Sequence, residues 1–161
     1  MTVHDPAGAG PVLFAYDGSP HARAAISRAG ELWPPRTAVV TTAWAAFEDA
    51  APAALLAMPA GVVRQAAADL DETQREAAET LAAEGAGLAA QAGFDARPLA
   101  LKSPQQFFSA LVDCAEELDA AAIVVGSRGR SPVAAAVLGS VSTGVLHHTR
   151  RPVLVVRADV P

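Results

Sequence analysis

Two segments of the chain combine residue types that suit the binding of an anionic ligand. Asp17 follows an apolar run, and Gly126, Gly129, Gly139 and Ser140 lie in spaced order towards the other end of the chain. Glycine lets the backbone turn sharply and approach an oxyanion, which a Cβ would hinder. Gly139 and Ser140 open a predicted helix, where free amides and the helix dipole favour a phosphate. An ionised Asp17 only accepts hydrogen bonds, and it therefore suits a ribose hydroxyl.

These residues also have structural explanations. Glycines at the ends of strands and helices often form only turns and caps. Asp17 stands before Gly18 and Ser19, so it could shape a turn or cap the first helix. Arg128, between the first two glycines, could pair with a phosphate or be solvated at the surface. The joint spacing of the glycines favours phosphate binding, while Asp17 could serve both purposes.

Strands and helices are predicted to alternate along the chain. The runs 12–16 and 121–125 are wholly apolar, which favours strands buried on both faces, because such strands lack polar alternation. Pro98 has no backbone N–H to donate to a neighbouring strand, which places the third strand at a sheet edge. The third helix is expected to open at Ser103, with Gln106 completing a capping box. The predicted strands are 12–16, 38–44, 95–101, 121–125 and 152–156, and the predicted helices begin after Ser19, near Val62, at Ser103 and at Gly139.

This order of elements predicts the fold class. Parallel strands joined by right-handed helical crossovers form an α/β protein with an open, doubly wound, five-stranded parallel sheet and helices on both faces, as in flavodoxin-like or Rossmann-like folds. The ligand crevice of such a sheet lies beyond the carboxyl ends of the strands, where the strand order reverses. Asp17 ends the first strand and Gly126 the fourth, and the backbone around Ala43 at the end of the second strand could read an adenine edge.

The long second helix, about 62–92, has a predicted apolar face. Leu70, Ala77, Leu81 and Leu88 recur at helical spacing. We expect this face to pack on the sheet.

Composition limits the classes of protein that fit. The chain has 161 residues, of which 52% are hydrophobic, and no apolar run of about 18 residues predicts a membrane span. Residues 1–10 lack the pattern of a signal peptide and are expected to be a flexible N-terminus before one domain, 11–158, in a cytoplasmic protein. The net charge of −5 is spread along the chain, which disfavours a nucleic-acid partner.

Several enzyme classes are also disfavoured. No Gly-x4-Gly-Lys-Ser/Thr follows the first strand, so a Walker-type nucleotide hydrolase is not indicated. The same segment lacks the three-glycine fingerprint of dinucleotide oxidoreductases. No general base, nucleophile or metal cluster converges on the predicted crevice, so we expect no catalytic residues, no metal site and at most slow ATP hydrolysis.

The sequence resembles the universal stress protein family from Pro11 to Arg157. The family signature is Gly, two residues, Gly, nine residues, Gly and then Ser or Thr, which Gly126, Gly129, Gly139 and Ser140 match in register. The segments 12–19, 123–129 and 151–156 carry the rest of the likeness. The resemblance implies the strand order 3-2-1-4-5, the ATP-binding subgroup with ATP or AMP as ligand, with or without Mg²⁺, dimerisation, and a role in stress survival.

The resemblance also implies roles for individual residues. Asp17 matches the acid that contacts ribose, and Ala43 matches the residue whose backbone meets adenine. Ala15 and Arg128 belong to the expected cofactor-binding set. The remaining expected contacts are those to phosphate, Gly126, Gly129, Gly139 and Ser140, followed in register by Val141 and Ser142.

The last strand predicts an assembly. Val153, Leu154, Val155 and Val156 form an unbroken apolar run with no lysine among them, and in the family order this strand is an exposed edge, which invites a partner. We expect a two-fold homodimer that pairs this strand with its mate in antiparallel fashion. The alternative function, from another class, is a nucleotide-free dimeric module that recruits a partner protein.

Overall fold

Strands alternate with helices along the described chain. The structure, a computed structural model, describes residues 10–46, 59–103, 106–129 and 138–158. Most of the predicted flexible N-terminus lies outside these residues, as does most of residues 45–61, a stretch rich in alanine and proline. In chain order the elements are β1 (Val12–Ala15), α1 (Pro20–Leu32), β2 (Thr37–Trp44), α2 (Ala60–Gln91), β3 (Asp95–Lys102), α3 (Phe107–Glu117), β4 (Ala122–Gly126), α4 (Ser140–His148) and β5 (Val153–Val156).

The five strands form one sheet in the order β3-β2-β1-β4-β5. All four pairings are parallel, and Phe14 at the centre of the sheet is in register with Val40 on one side and Val124 on the other. The predicted fold class and strand order are confirmed. β3, which contains Pro98, is an edge strand as predicted, and β5 is the other edge.

Two apolar layers hold the helices on the sheet. On one face Phe14, Val40 and Val124 pack with residues of α1 and α2. On the other face Leu13, Val39 and Ile123 pack with residues of α3 and α4. Because successive strand residues point to opposite faces, the central strands are buried on both sides, which explains their continuous apolar runs.

The start of α1 is set by its first residues. Ser19 is the N-cap, and its side-chain oxygen accepts a hydrogen bond from the Ala22 amide at 3.2 Å. Pro20 occupies the first helical position, where its missing N–H costs nothing. This short, well-capped connection fixes Asp17 at the top of β1.

The predicted capping box at Ser103 is wrong. The third helix begins at Phe107, with Gln106 as an N-cap that makes no side-chain cap hydrogen bond. The Ser103 amide instead donates to the Trp44 carbonyl at 2.8 Å, which continues the pairing of β3 with β2. Ser103 therefore directly follows β3 and is bonded to β2, and it does not cap the helix.

The predicted apolar face of α2 is only half right. Leu81 and Leu88 pack against the core, but Ala77 is exposed and Leu70 is 46% exposed. Fully buried positions are small residues, Ala78, Ala82, Gly85, Ala86 and Ala89. The helix has 32 residues, or about 48 Å, whereas the eight-residue strands β2 and β3 span about 27 Å. Its first half therefore extends past the sheet.

Candidate functional site

A cavity of about 580 Å³ opens at the carboxyl ends of β1 and β4. This is the edge where the strand order reverses, as expected for a doubly wound sheet. Nine of the ten predicted binding residues line it, namely Ala15, Asp17, Gly126, Arg128, Gly129, Gly139, Ser140, Val141 and Ser142. The structure therefore brings two distant segments of the sequence to one cavity.

Ala43 is the tenth predicted residue, and it is not among the described residues that line the cavity. The pairing of β1 with β2 ends at Ala15 and Thr41, after which the Tyr16 amide donates to the Thr41 carbonyl at 2.8 Å. The Thr42 hydroxyl then donates to the Tyr16 carbonyl at 2.9 Å. Ala43 lies beyond the last of these bonds, where β2 continues past the end of β1.

Asp17 shapes the turn between β1 and α1. Its Oδ1 accepts a hydrogen bond from the Ser19 amide at 3.0 Å, and Gly18 at the centre of the turn has a φ of +77°, a value that glycine adopts without strain. The other carboxylate oxygen, Oδ2, lies beside the second glycine, since a Cβ built on Gly129 would be 2.7 Å from it. Asp17 thus forms a turn and also faces the β4–α4 connection.

Gly126 has a packing role that its sequence position does not reveal. A Cβ at this residue would lie 2.8 Å from the His21 carbonyl carbon and 2.9 Å from the Ala22 amide nitrogen. The end of β4 therefore packs directly on the backbone of the first turn of α1. Although Gly126 lines the cavity, this contact by itself requires glycine.

The start of α4 supplies amides to the cavity. The Gly139 amide, expected to be free, donates to the Ser127 carbonyl at 2.8 Å. The first hydrogen bond into the helix runs from the Thr143 amide to the Gly139 carbonyl at 3.0 Å. The amides of Ser140, Val141 and Ser142 therefore have no acceptor within the described part of the chain, as is typical of a helix N-terminus.

The Ser142 side chain is buried and bonded to the protein backbone, although Ser142 was expected to contact phosphate. It is 1% exposed, and its hydroxyl lies 3.0 Å from the Gly139 carbonyl and 3.3 Å from the Ser127 carbonyl. The hydroxyl therefore contacts the backbone of the β4–α4 connection, while the Ser140 residue, at the first position of the helix, is exposed.

Tyr16 lines the cavity but directs its hydroxyl to α2. The hydroxyl donates to Glu84 Oε1 at 2.7 Å, and the Arg23 guanidinium binds the same oxygen at 2.5 Å. Burial, together with the hydrogen bond to Glu84, raises the pKa of Tyr16 to about 12. Tyr16 is thus neutral at physiological pH, and among the described residues that line the cavity the charged ones are Asp17 and Arg128.

Five lining residues were missed by the sequence analysis, namely Tyr16, Ala22, Phe107, Val125 and Leu138. Tyr16 and Val125 are neighbours of Asp17 and Gly126, so adjacency could have found them. Phe107 reaches the cavity because α3 starts at that residue. Among the described residues no group of three or more His, Cys, Asp or Glu could hold a metal ion, and no helix combines the length and apolar character that a membrane crossing requires.

Solved structures of low sequence identity share this fold. A hypothetical protein, studied as a test case for assigning biochemical function from structure, is 19% identical with a TM-score of 0.76, over 95% of this chain and 99% of that one. A universal stress protein from Archaeoglobus fulgidus in complex with dAMP is 22% identical with a TM-score of 0.58, over 91% and 97%. A universal stress protein in complex with cAMP is 24% identical with a TM-score of 0.53, over 92% and 96%.

Family membership rests on the sequence match. No curated protein matches the chain, but residues 9–157 match the universal stress protein family. The match covers every described strand and helix. The chain therefore belongs to the universal stress protein family.

Proposed function

We propose that this chain binds an adenine nucleotide, ATP or AMP, and acts as a regulatory protein in the stress response. One observation carries the proposal: three helix amides without an acceptor in the described residues line the same cavity as the Asp17 carboxylate. A fully ionised phosphate only accepts hydrogen bonds, which suits the helix amides. A ribose hydroxyl can donate one, which suits the Asp17 carboxylate. A nucleotide therefore matches both ends of this cavity. Two structures with the same fold are complexes with dAMP and cAMP.

The phosphate end of the cavity would be the N-terminus of α4. The amides of Ser140, Val141 and Ser142 point out of the first turn of the helix, where the dipole carries about half a positive charge. The Ser140 hydroxyl adds a donor. Arg128 also lines the cavity and would supply positive charge near the phosphates. Gly129 and Gly139 would allow the backbone to approach them.

The nucleoside end would lie towards β1 and β2. Asp17 Oδ1 is already bonded to the Ser19 amide, so Oδ2 would accept from a ribose hydroxyl. The apolar side chains of Ala15 and Val125 line the cavity and suit the flat face of a base. Ala43 lies past the end of the β1–β2 pairing, which supports the proposal that its amide and carbonyl read the adenine edge.

A magnesium ion would enter with ATP rather than occupy a protein site. Mg²⁺ is commonly bound through one or two carboxylates together with substrate phosphates. Asp17 is the one carboxylate among the described residues that line the cavity, so phosphate oxygens and water would supply most of the ligands. We expect at most slow hydrolysis of ATP, because Asp17 is proposed to bind the ribose and no other carboxylate and no histidine is among the described residues that line the cavity.

A second candidate function is a nucleotide-free dimeric module. The edge strand β5 favours it, because Val153, Leu154 and Val155 remain only half-buried although they are apolar. Such an edge is suited to pairing with another chain. The proposed homodimer through Val153, Leu154, Val155 and Val156 is compatible with either function.

Nucleotide that purifies with the protein distinguishes the two functions. We expect mass spectrometry of the denatured protein to detect an adenine nucleotide. Once bound nucleotide has been removed, we expect the melting temperature of the protein to rise when AMP or ATP is added. Absence of nucleotide after purification, together with no thermal shift at millimolar AMP or ATP, would favour the interaction module.

A further inference from the structure

The two ends of the connection between β4 and α4 are hydrogen-bonded to each other at the start of the helix. The Gly139 amide donates to the Ser127 carbonyl at 2.8 Å. The Ser142 hydroxyl reaches the same Ser127 carbonyl at 3.3 Å and the Gly139 carbonyl at 3.0 Å. Two residues far apart in sequence, at either end of this connection, are thereby held together.

The Ser142 hydroxyl has no proton to spare for a ligand. A serine hydroxyl carries one donor hydrogen, and within the described part of the chain its two acceptors are the Ser127 and Gly139 carbonyls at the ends of the connection. The residue is 1% exposed, so water does not readily replace these bonds. Any contribution of this side chain to ligand binding must therefore act through the backbone that it holds.

The backbone held by Ser142 is itself attached to the sheet. The Ser127 amide donates to the Val156 carbonyl at 2.7 Å, which fixes Ser127 to the end of β5. A bond from Ser142 to the Ser127 carbonyl therefore sets the start of α4 relative to the sheet. It also brings Gly139 against Arg128, since a Cβ on Gly139 would lie 3.4 Å from the Arg128 Cα.

We propose that Ser142 is a positioning residue, whose hydroxyl holds the amides of Ser140, Val141 and Ser142 in the arrangement that receives a phosphate. The inference rests on the proposed nucleotide function. Amides that are fixed before the ligand arrives need no ordering on binding, so preorganisation increases affinity. Loss of the hydroxyl would leave the Gly139–Ser127 bond in place and loosen the first turn of the helix around it.

The variant Ser142→Ala tests the proposal by comparing ligands with and without phosphate. We expect AMP to bind about ten-fold more weakly, the scale of one hydrogen bond, and adenosine to bind within about two-fold of the parent. Thr143→Ala is the matched control, because it removes a hydroxyl from the same helix for which no hydrogen bond is found within the described residues. The control should bind AMP as the parent does.

Amide hydrogen exchange without nucleotide provides an independent measurement. We expect Ser142→Ala to speed exchange at the Thr143 amide, which donates to the Gly139 carbonyl in the first turn of α4, while the amide of the central strand residue Val124 exchanges as in the parent. Ser142→Thr, which keeps the hydroxyl, should restore slow exchange and AMP affinity if it folds. This measurement also separates the two proposals, because it tests the positioning role even if the parent binds no nucleotide.

Three results would overturn the positioning role. One is an unchanged AMP affinity in Ser142→Ala when the parent binds AMP. Another is an equal loss of AMP and adenosine affinity with faster exchange at Val124, which indicates general destabilisation. The third is unchanged exchange at the Thr143 amide, whether or not the parent binds nucleotide.

Discussion

Asp17 is flanked by residues that the first and second helices hold in place. Tyr16 and Arg23 both bind Glu84 on α2, and the Arg23 guanidinium also donates to the Gly18 carbonyl at 3.4 Å. The Arg23 guanidinium carbon lies 5.9 Å from the centre of the Tyr16 ring. The residues before and after Asp17 are therefore tied to α1 and α2, which limits movement of the carboxylate at the proposed ribose position.

Titration of the single tyrosine tests this network. The chain has one tyrosine, so phenolate absorbance reports Tyr16 alone. We expect a midpoint near pH 12 in the folded protein, because the pKa of Tyr16 is raised to about 12 by burial and by Glu84. Glu84→Gln should lower that midpoint by removing the negative charge. A midpoint near pH 10 in the folded parent would contradict the buried hydrogen bond.

The same shift predicts how stability depends on pH. The folded pKa lies above the unfolded value of about 10, so the stabilisation is fully present below pH 10 and is lost as pH rises through 12. The loss in unfolding free energy is on the order of 2–3 kcal/mol, because each pKa unit corresponds to about 1.4 kcal/mol. Chemical denaturation at a series of pH values measures it, and Tyr16→Phe should remove this part of the pH dependence.

Residue types and spacing predicted most of the residues that line the cavity, but they did not predict how individual residues are hydrogen-bonded. The pattern of Gly126, Gly129 and Gly139 with Asp17 predicted residues that do line one cavity. The contact of Gly126 with the backbone of α1 depends on how a helix and a strand cross. The Gly139 amide bonds to Ser127, and this depends on the path of a connection. Neither feature leaves a periodic signal in the sequence.

At the scale of elements, small residues determine how closely α2 approaches the sheet. A Cβ on Gly85 would lie 2.7 Å from Tyr16 Cδ1 and 2.8 Å from Val40 Cγ1. Alanines occupy the other buried positions of this helix. Sequence periodicity favoured the leucines as the packing face, because it measures hydrophobicity and not the distance between backbones. The elements themselves were predictable within a few residues, since apolar runs, prolines and Gly93 mark their ends.

Two glycines on α2 provide a matched test of this packing. Gly85→Ala should destabilise the protein by about 1–3 kcal/mol, because the added methyl group overpacks the contact with Tyr16 and Val40. Gly87→Ala, at an exposed position on the same helix where a Cβ meets nothing within 4 Å, should stabilise it by about 0.5–1 kcal/mol. Denaturant unfolding measures both. Equal effects of the two substitutions would contradict the close approach.

At the scale of the whole molecule, the edge strand β5 leaves part of its backbone available for pairing. The Ile123 and Ser127 amides donate to the Pro152 and Val156 carbonyls. Because alternate residues of a strand face the same neighbour, the polar backbone groups of Val153 and Val155 face away from β4. These are the groups that an antiparallel partner strand would bind.

We predict a homodimer through β5 at micromolar concentration. Light scattering of the parent should give the mass of two chains. Val155→Pro removes one outward amide without removing a bond to β4, and edge strands tolerate proline, so this variant should be monomeric with unchanged circular dichroism. A parent that scatters as a monomer, or a Val155→Pro variant that remains dimeric, would rule out this interface.

The central claim is that the cavity between Asp17 and the start of α4 binds an adenine nucleotide through backbone amides. Gly139 is a better probe of it than Gly129, because a side chain on Gly129 would displace the Asp17 carboxylate. A Cβ on Gly139 would have its nearest neighbours at 3.4 and 3.5 Å, and the residue has a φ of −66° that valine can adopt. Gly139→Val should therefore fold normally and obstruct the approach of a phosphate.

Calorimetric titration with AMP and ATP is the most direct measurement of this claim. We expect one nucleotide to bind per chain, and we expect Gly139→Val, verified as folded by circular dichroism, to weaken binding by more than about ten-fold. Adenosine should bind the parent and the variant alike. No heat from millimolar AMP or ATP with the parent, or equal nucleotide affinity in the folded Gly139→Val variant, would contradict the account.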